Sequence, residues 1–166
     1  MSDNITAPVA PSAEARTFLL AVDTSDQLRA ALHFACRRAV HTGGKVALFH
    51  AAPPSDFHHF STVAELMDHE AKTEAERLLQ QLAADVHQRT GKFPDLYLRQ
   101  GDTLPELQKV IRETEGISML VLAADPGPNG PGALIAAISG KLAGTLDIPV
   151  TVVPGDLSED RIDALT

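Results

Sequence analysis

The sequence predicts an α/β domain: one parallel sheet with helices on both faces, three layers deep, in a single domain. Three observations carry this. Short apolar runs recur along the chain and alternate with longer amphipathic stretches, the β-α-β-α order of a parallel sheet. The runs are apolar almost throughout, as strands covered on both faces must be. Glycine or proline punctuates most of the junctions between them.

The elements follow in order. Residues 17–22 (TFLLAV) read as the first strand, with Asp23, Thr24 and Ser25 at its carboxyl end. Ser25 is a suitable N-cap for a helix carrying Leu28, Leu32, Ala35, Cys36, Ala39 and Val40 on one face. Gly43 and Gly44 stop that helix, since glycine accepts the left-handed C-cap conformation. Residues 46–49 are the second strand, and residues 51–60 a loop containing His58 and His59. The next helix turns Val63, Leu66, Met67, Ala71, Ala75, Leu78, Leu79, Leu82 and Val86 inward and ends at Gly91. Residues 96–99 are the third strand, closed by Gly101 and Asp102. Thr103 and Glu106 form a T-x-x-E capping box for a helix buried through Leu107, Val110 and Ile111. The fourth strand, residues 119–123, leads into a loop at 125–132 rich in proline and glycine. A helix with Leu134, Ile135, Ile138, Leu142 and Leu146 on one face follows, then a last strand at 150–153 between Pro149 and Pro154.

Composition narrows the function. The chain has 166 residues, enough for one domain with a real core. A formal net charge of -8 argues against a general nucleic-acid surface or an anionic membrane as partner. No apolar run is long enough to span a membrane. Residues 1–15 have neither a basic start nor an apolar core and read as a disordered leader; residues 155–166 read as an acidic tail without a core-facing pattern. Cys36 is the single cysteine, which excludes an internal disulfide and a cysteine-based zinc site and makes a reducing cytoplasm the expected compartment.

The opening FLLAVDTSDQLRAALHFACRRAVHTGGKVALFHA, the stretch RQGDTLPELQKVIRETEGISMLVLAA and the closing PVTVVP together resemble the universal stress protein family. The resemblance covers residues 16–154. It implies strand order 3-2-1-4-5 and a ligand crevice between Asp23 and Ala123, where the chain reverses direction. In nucleotide-binding members the aspartate matching Asp23 contacts the adenosine part of the ligand, and the G-D turn matching Gly101 and Asp102 lines the same crevice. With Thr24, Ala123, Gly127 and Gly130 these make up the candidate crevice for an adenine nucleotide.

Members that bind ATP carry G-x2-G-x9-G-[ST] after the fourth strand. Gly127, Gly130 and Gly140 match the glycine spacing, but Lys141 then takes the hydroxyl position and the loop starts late for a strand ending at Ala123. Counting without a gap between the flanking strands places Ala123, Pro126, Ala136 and Ala137 at the motif positions instead, and the pattern is degenerate at each. The chemistry agrees. A phosphate cradle needs free backbone N–H groups, whereas Pro126, Pro128 and Pro131 remove three and Asp125 adds a carboxylate. Asp23 has an alternative role in ordering its own βα turn. His58 and His59 lack further ligands at metal spacing, and no metal site or catalytic group is assigned. His50 reads as a packed, hydrogen-bonded ring; His33, His41, His69 and His87 as surface residues.

The expectation is a cytoplasmic stress-response binding or regulatory module that binds ATP weakly or not at all and carries no resident cofactor. The competing reading is an ATP- or AMP-binding sensor with a rebuilt loop. The last strand, an outer edge without charge, predicts a homodimer through Val150, Thr151, Val152 and Val153.

Overall fold

Successive side chains on a strand point to opposite faces, so a central strand of a covered sheet must be apolar along its whole length. In a computed structural model of the protein, which describes residues 16–53 and 61–166 apart from the side chains of Ser61, Ala64 and Lys141, β1 (Thr17–Ala21) is buried at every position. Phe18 and Leu20 face one layer, Leu19 and Ala21 the other. β2 (Lys45–Ala52), β3 (Asp95–Gln100), β4 (Ile117–Ala124) and β5 (Val150–Pro154) complete a parallel sheet ordered β3-β2-β1-β4-β5. β1 and β4 are neighbours although far apart in sequence, which fixes the reversal point at their carboxyl ends.

One face is covered by α1 (Leu28–Thr42), the second half of α2 (Ser61–Thr90) and α5 (Glu159–Leu165). The other is covered by α3 (Thr103–Glu113) and α4 (Ala133–Ala137). Gly43 sits at φ 67° as the left-handed cap of α1. The two caps expected from side chains are absent. Gln27, not Ser25, precedes α1 without a side-chain bond, and Ser25 turns back to Asp23 instead. Asp102 precedes α3, and Glu106 pairs with Lys109 rather than closing a box with Thr103. The helix expected after the fourth strand is shorter than its apolar spacing implies. α4 gives way to a π-turn at Ile138–Leu142, where Ser139 Oγ donates back to Ile135 O (2.7 Å) and Gly140 and Gly144 weaken propagation.

α2 departs furthest from expectation. Ala75, Leu79 and Val86 are buried, but Val63, Leu66 and Met67 are 58%, 58% and 47% exposed. At about 100° per residue, these three lie roughly two fifths of a turn away from the stripe that continues through Ala75, Leu79 and Val86. The apolar stripe winds around the helix, and only its second half meets the sheet.

Residues 155–166 are a second correction. They do carry a core-facing side chain: Ser158 Oγ accepts from Arg161 N (3.2 Å) as the N-cap of α5, whose Ile162 is 1% exposed in the α1-side core. α5 is tied to α1 and α2 by two arginine–histidine relays. Arg89 Nη1 donates to His33 Nδ1 (2.7 Å), and because arginine only donates, the ring proton sits on Nε2 and goes to Asp163 Oδ1 (2.7 Å). Arg37 Nη2 donates to His41 Nε2 (3.1 Å), and His41 Nδ1 donates to Thr166 O (2.9 Å). Arg37 Nε lies 3.0 Å from Asp163 Oδ1, with its N–H not aimed along the contact. His33 is thus buried, not a surface residue. The hydrogen bond from His33, with the charge of Arg37 beside it, outweighs partial desolvation and holds Asp163 below the usual aspartate value. Burial works against the Arg89 charge, but the bonds to Asp85 and Glu159 outweigh it and raise its pKa.

Candidate functional site

A cleft of about 640 Å³ opens at the carboxyl ends of β1 and β4. Its floor and walls are apolar: Val22 and Ala21 from the end of β1, Phe49 and Ala51 from β2, Leu122 and Ala123 from β4, Leu134 and Ile135 from α4. Its polar groups come from three connections. Asp23, Thr24, Ser25 and Gln27 belong to the β1–α1 turn, Thr103 opens α3, and Asp125 opens the loop after β4. His50, near the end of β2, completes the rim.

Each ionisable group in the cleft is partly occupied. Asp23 Oδ1 accepts from Ser25 N (2.9 Å) and Ser25 Oγ (2.5 Å), so it orders its own turn, while Oδ2 has no partner among the described residues. His50 bonds to Val22 O (2.9 Å); a carbonyl only accepts, so Nδ1 carries the proton and Nε2 is left as an acceptor. Asp125 Oδ1 accepts from Gly127 N (2.8 Å). Asp23 and Asp125 supply two carboxylates, and none of the described lining residues is lysine or arginine.

The loop after β4 can be accounted for donor by donor. Of residues 125–132, Pro126, Pro128 and Pro131 have no N–H. Asp125 N goes to Pro131 O (3.4 Å), Gly127 N to the Asp125 carboxylate, and Gly130 N to Gly127 O (3.4 Å). Asn129 and Gly132 hold the remaining loop N–H groups. Gly130 and Gly132 adopt φ 87° and 109°, which only glycine takes without strain.

Of the residues anticipated for the crevice, Asp23, Thr24 and Ala123 line the cleft together. Gly101, Asp102, Gly127 and Gly130 do not. Gly101, at φ 139°, donates to Ala52 O (2.9 Å) and turns the chain from β3 into α3, so that Thr103 and Leu104 reach the cleft in place of the G-D pair. Gly127 and Gly130 fold the loop on itself, and Pro131 and Gly132 take the lining positions. Sequence reasoning missed Phe49, Thr103, Leu104 and Pro131; Thr103 and Leu104 open the helix after β3, a position at the carboxyl edge of the sheet that would have found them, whereas Phe49 lies within β2 and Pro131 within the loop before α4. His58 and His59 lie outside the described residues, as do residues 1–15. Among the described residues no cluster of histidine, cysteine and carboxylate side chains could hold a metal, and no helix is long and apolar enough to cross a membrane.

On β5, Val152 is 44% exposed, Val150 and Thr151 are half-buried, and Val153 is buried in the core on the α1 side. Among the described residues β5 pairs with β4 alone, so its outer row of backbone groups faces away from the sheet.

A family model described as the universal stress protein family matches residues 14–154. Solved structures share the fold. Universal stress protein UspA from Lactobacillus plantarum superposes with a TM-score of 0.70 at 16% identity, covering 84% of this chain and 98% of that one. A universal stress protein solved in complex with cAMP gives 0.59 at 14% identity, covering 85% and 98%. The universal stress protein from Archaeoglobus fulgidus in complex with dAMP gives 0.57 at 17% identity, covering 83% and 97%. No curated protein sequence is close enough to count as a match.

Proposed function

The chain belongs to the universal stress protein family, and on that premise we propose that it is a cytoplasmic stress-response binding or regulatory module, homodimeric, with weak or no affinity for ATP. One observation carries the reading. In the loop where a triphosphate would lie, three residues are prolines, three N–H groups are used internally, and a carboxylate occupies the turn. A triphosphate would meet Asp23 and Asp125 with no described cation to offset them. The Ser25 hydroxyl that meets the Asp23 carboxylate is read as a turn-ordering contact, and the reading assigns no catalytic residue.

A second reading keeps an adenine ligand but not its phosphates. Asp23 retains a free Oδ2, His50 presents Nε2 as an acceptor, and apolar walls from β1, β4 and α4 leave space for a flat ring. Two relatives of the same fold were solved with cAMP and dAMP, ligands with a single phosphate. Mass spectrometry of whatever co-purifies, followed by AMP titration of the native protein and Asp23→Ala, decides this. Loss of AMP binding in the variant supports a sensor built on the base side of the cleft; undiminished binding sinks that assignment of Asp23.

Dimerisation is proposed through β5. Its edge carries no charge between Pro149 and Pro154, and antiparallel pairing with a second copy would satisfy its open backbone groups.

A further inference from the structure

The thirty residues of α2 extend about 45 Å at 1.5 Å per residue, against roughly 26 Å for the eight residues of β2. Its first half therefore runs past the carboxyl ends of β2 and β3. On the sheet side of this half stand Asp68, Ala71 and Lys72, too small or too polar to close the gap, and a second cleft of about 480 Å³ remains beneath them. The large apolar residues are on the other side. Val63, Leu66 and Met67 are spaced i, i+3, i+4 on one exposed face. Glu70 and Glu74 continue that face through the next two turns, and Glu65 lies outside it, all three exposed.

An apolar stripe on a projecting helix, left exposed among the described residues, marks a contact surface. We propose that this face of α2 docks a cationic amphipathic helix of a partner protein. The apolar trio supplies the seam, and the acids set the sign of the partner. On that face Glu70 has no cation within ion-pair distance among the described residues, and Glu74 has only Arg77 at 3.8 Å. A second copy of the chain fits less well. It would bring the same acids, Glu70 and Glu74, to the contact. A helix with leucine-type residues at i, i+3, i+4 and lysines flanking them brings the complement.

The test uses the full chain and a fluorescent synthetic peptide of leucine and lysine at helical spacing, with a peptide of scrambled order as control. Anisotropy at physiological salt should show binding to the helical-spacing peptide. In the double variant Leu66→Gln, Met67→Gln affinity should fall at least about tenfold, and the scrambled peptide should be as weak. Because both side chains are exposed, the variant should unfold at the same urea concentration as the native protein, which separates lost docking from lost folding. Equal binding of both peptides, or of both proteins, would overturn the proposal by reducing it to unspecific charge attraction. So would a concentration-dependent doubling of mass that the variant abolishes, which identifies a second copy as the occupant, or flotation with phosphatidylcholine vesicles that the variant loses, which identifies a membrane.

Discussion

Replacing Ile162 by alanine tests whether the C-terminal segment is part of the fold. Ile162 is 1% exposed and belongs to the same core as Leu32, Cys36 and Val153. A buried isoleucine cut to alanine costs about 2–5 kcal/mol, depending on how far the site can relax. α5 is short, and Ile162 is its only fully buried side chain, so relaxation by undocking limits the loss to the lower part, about 2–3 kcal/mol. For a domain of this size that corresponds to roughly 4–12 °C in melting temperature. The control is Leu165→Ala on the same helix, where the side chain is 56% exposed and the change should stay within about 0.5 kcal/mol. Urea unfolding followed by far-UV circular dichroism reads both. If Ile162→Ala unfolds within about 0.5 kcal/mol of the native protein, α5 contributes nothing to the fold in solution and its docking through His33 and Asp163 is wrong.

Asp163→Asn carries a pH signature. The folded carboxyl has a depressed pKa, so its contribution is present above the unfolded value, near 3.8, and is lost as pH falls through the lower folded value. The variant should be less stable at about pH 5 and indistinguishable from the native protein well below pH 3.8 in paired urea melts. Cys36 should be inert in the folded state: burial pushes its thiol up to about 12, against the opposing charge of Arg89, so a disulfide reagent at mildly alkaline pH reacts only after denaturant is added. Val152→Lys should shift the protein from dimer towards monomer or aggregate by light scattering, while a monomer mass for the native chain at tens of micromolar rejects the β5 interface.

The sheet was legible because its central strands are apolar without interruption, and because a parallel order leaves few ways to place the helices. What the sequence hid lies where one residue depends on distant ones. His33 on α1 reads as a surface histidine until Arg89, far along the chain, and Asp163, near its end, are brought to either side of its ring. The acidity of residues 155–166 masked a helix whose start is nonetheless written in Ser158, Glu159 and Asp160, a capping residue followed by acids in the first turn. The α2 stripe misled because periodicity over a long helix says which residues are neighbours, not which turns still have a sheet beneath them. In the cleft, Asp23, Thr24 and Ala123 follow from the reversal of strand order that the family resemblance implies. Thr103 and Leu104 required the path of α3 across it, which no local pattern records. Gly127 and Gly130 of the β4–α4 loop were read by spacing, yet they serve the loop's own turns, Gly130 through its positive φ and Gly127 through its bond to Asp125.

The proposed function requires that the loop after β4 does not cradle a triphosphate. Calorimetric titration of the full chain with ATP in magnesium buffer, beside AMP and adenosine, tests this most directly. The structure predicts that ATP binds more weakly than AMP or adenosine, or shows no heat at all, because each added phosphate approaches Asp125 and finds few free N–H groups. A micromolar dissociation constant for ATP, tighter than that for AMP, would contradict it.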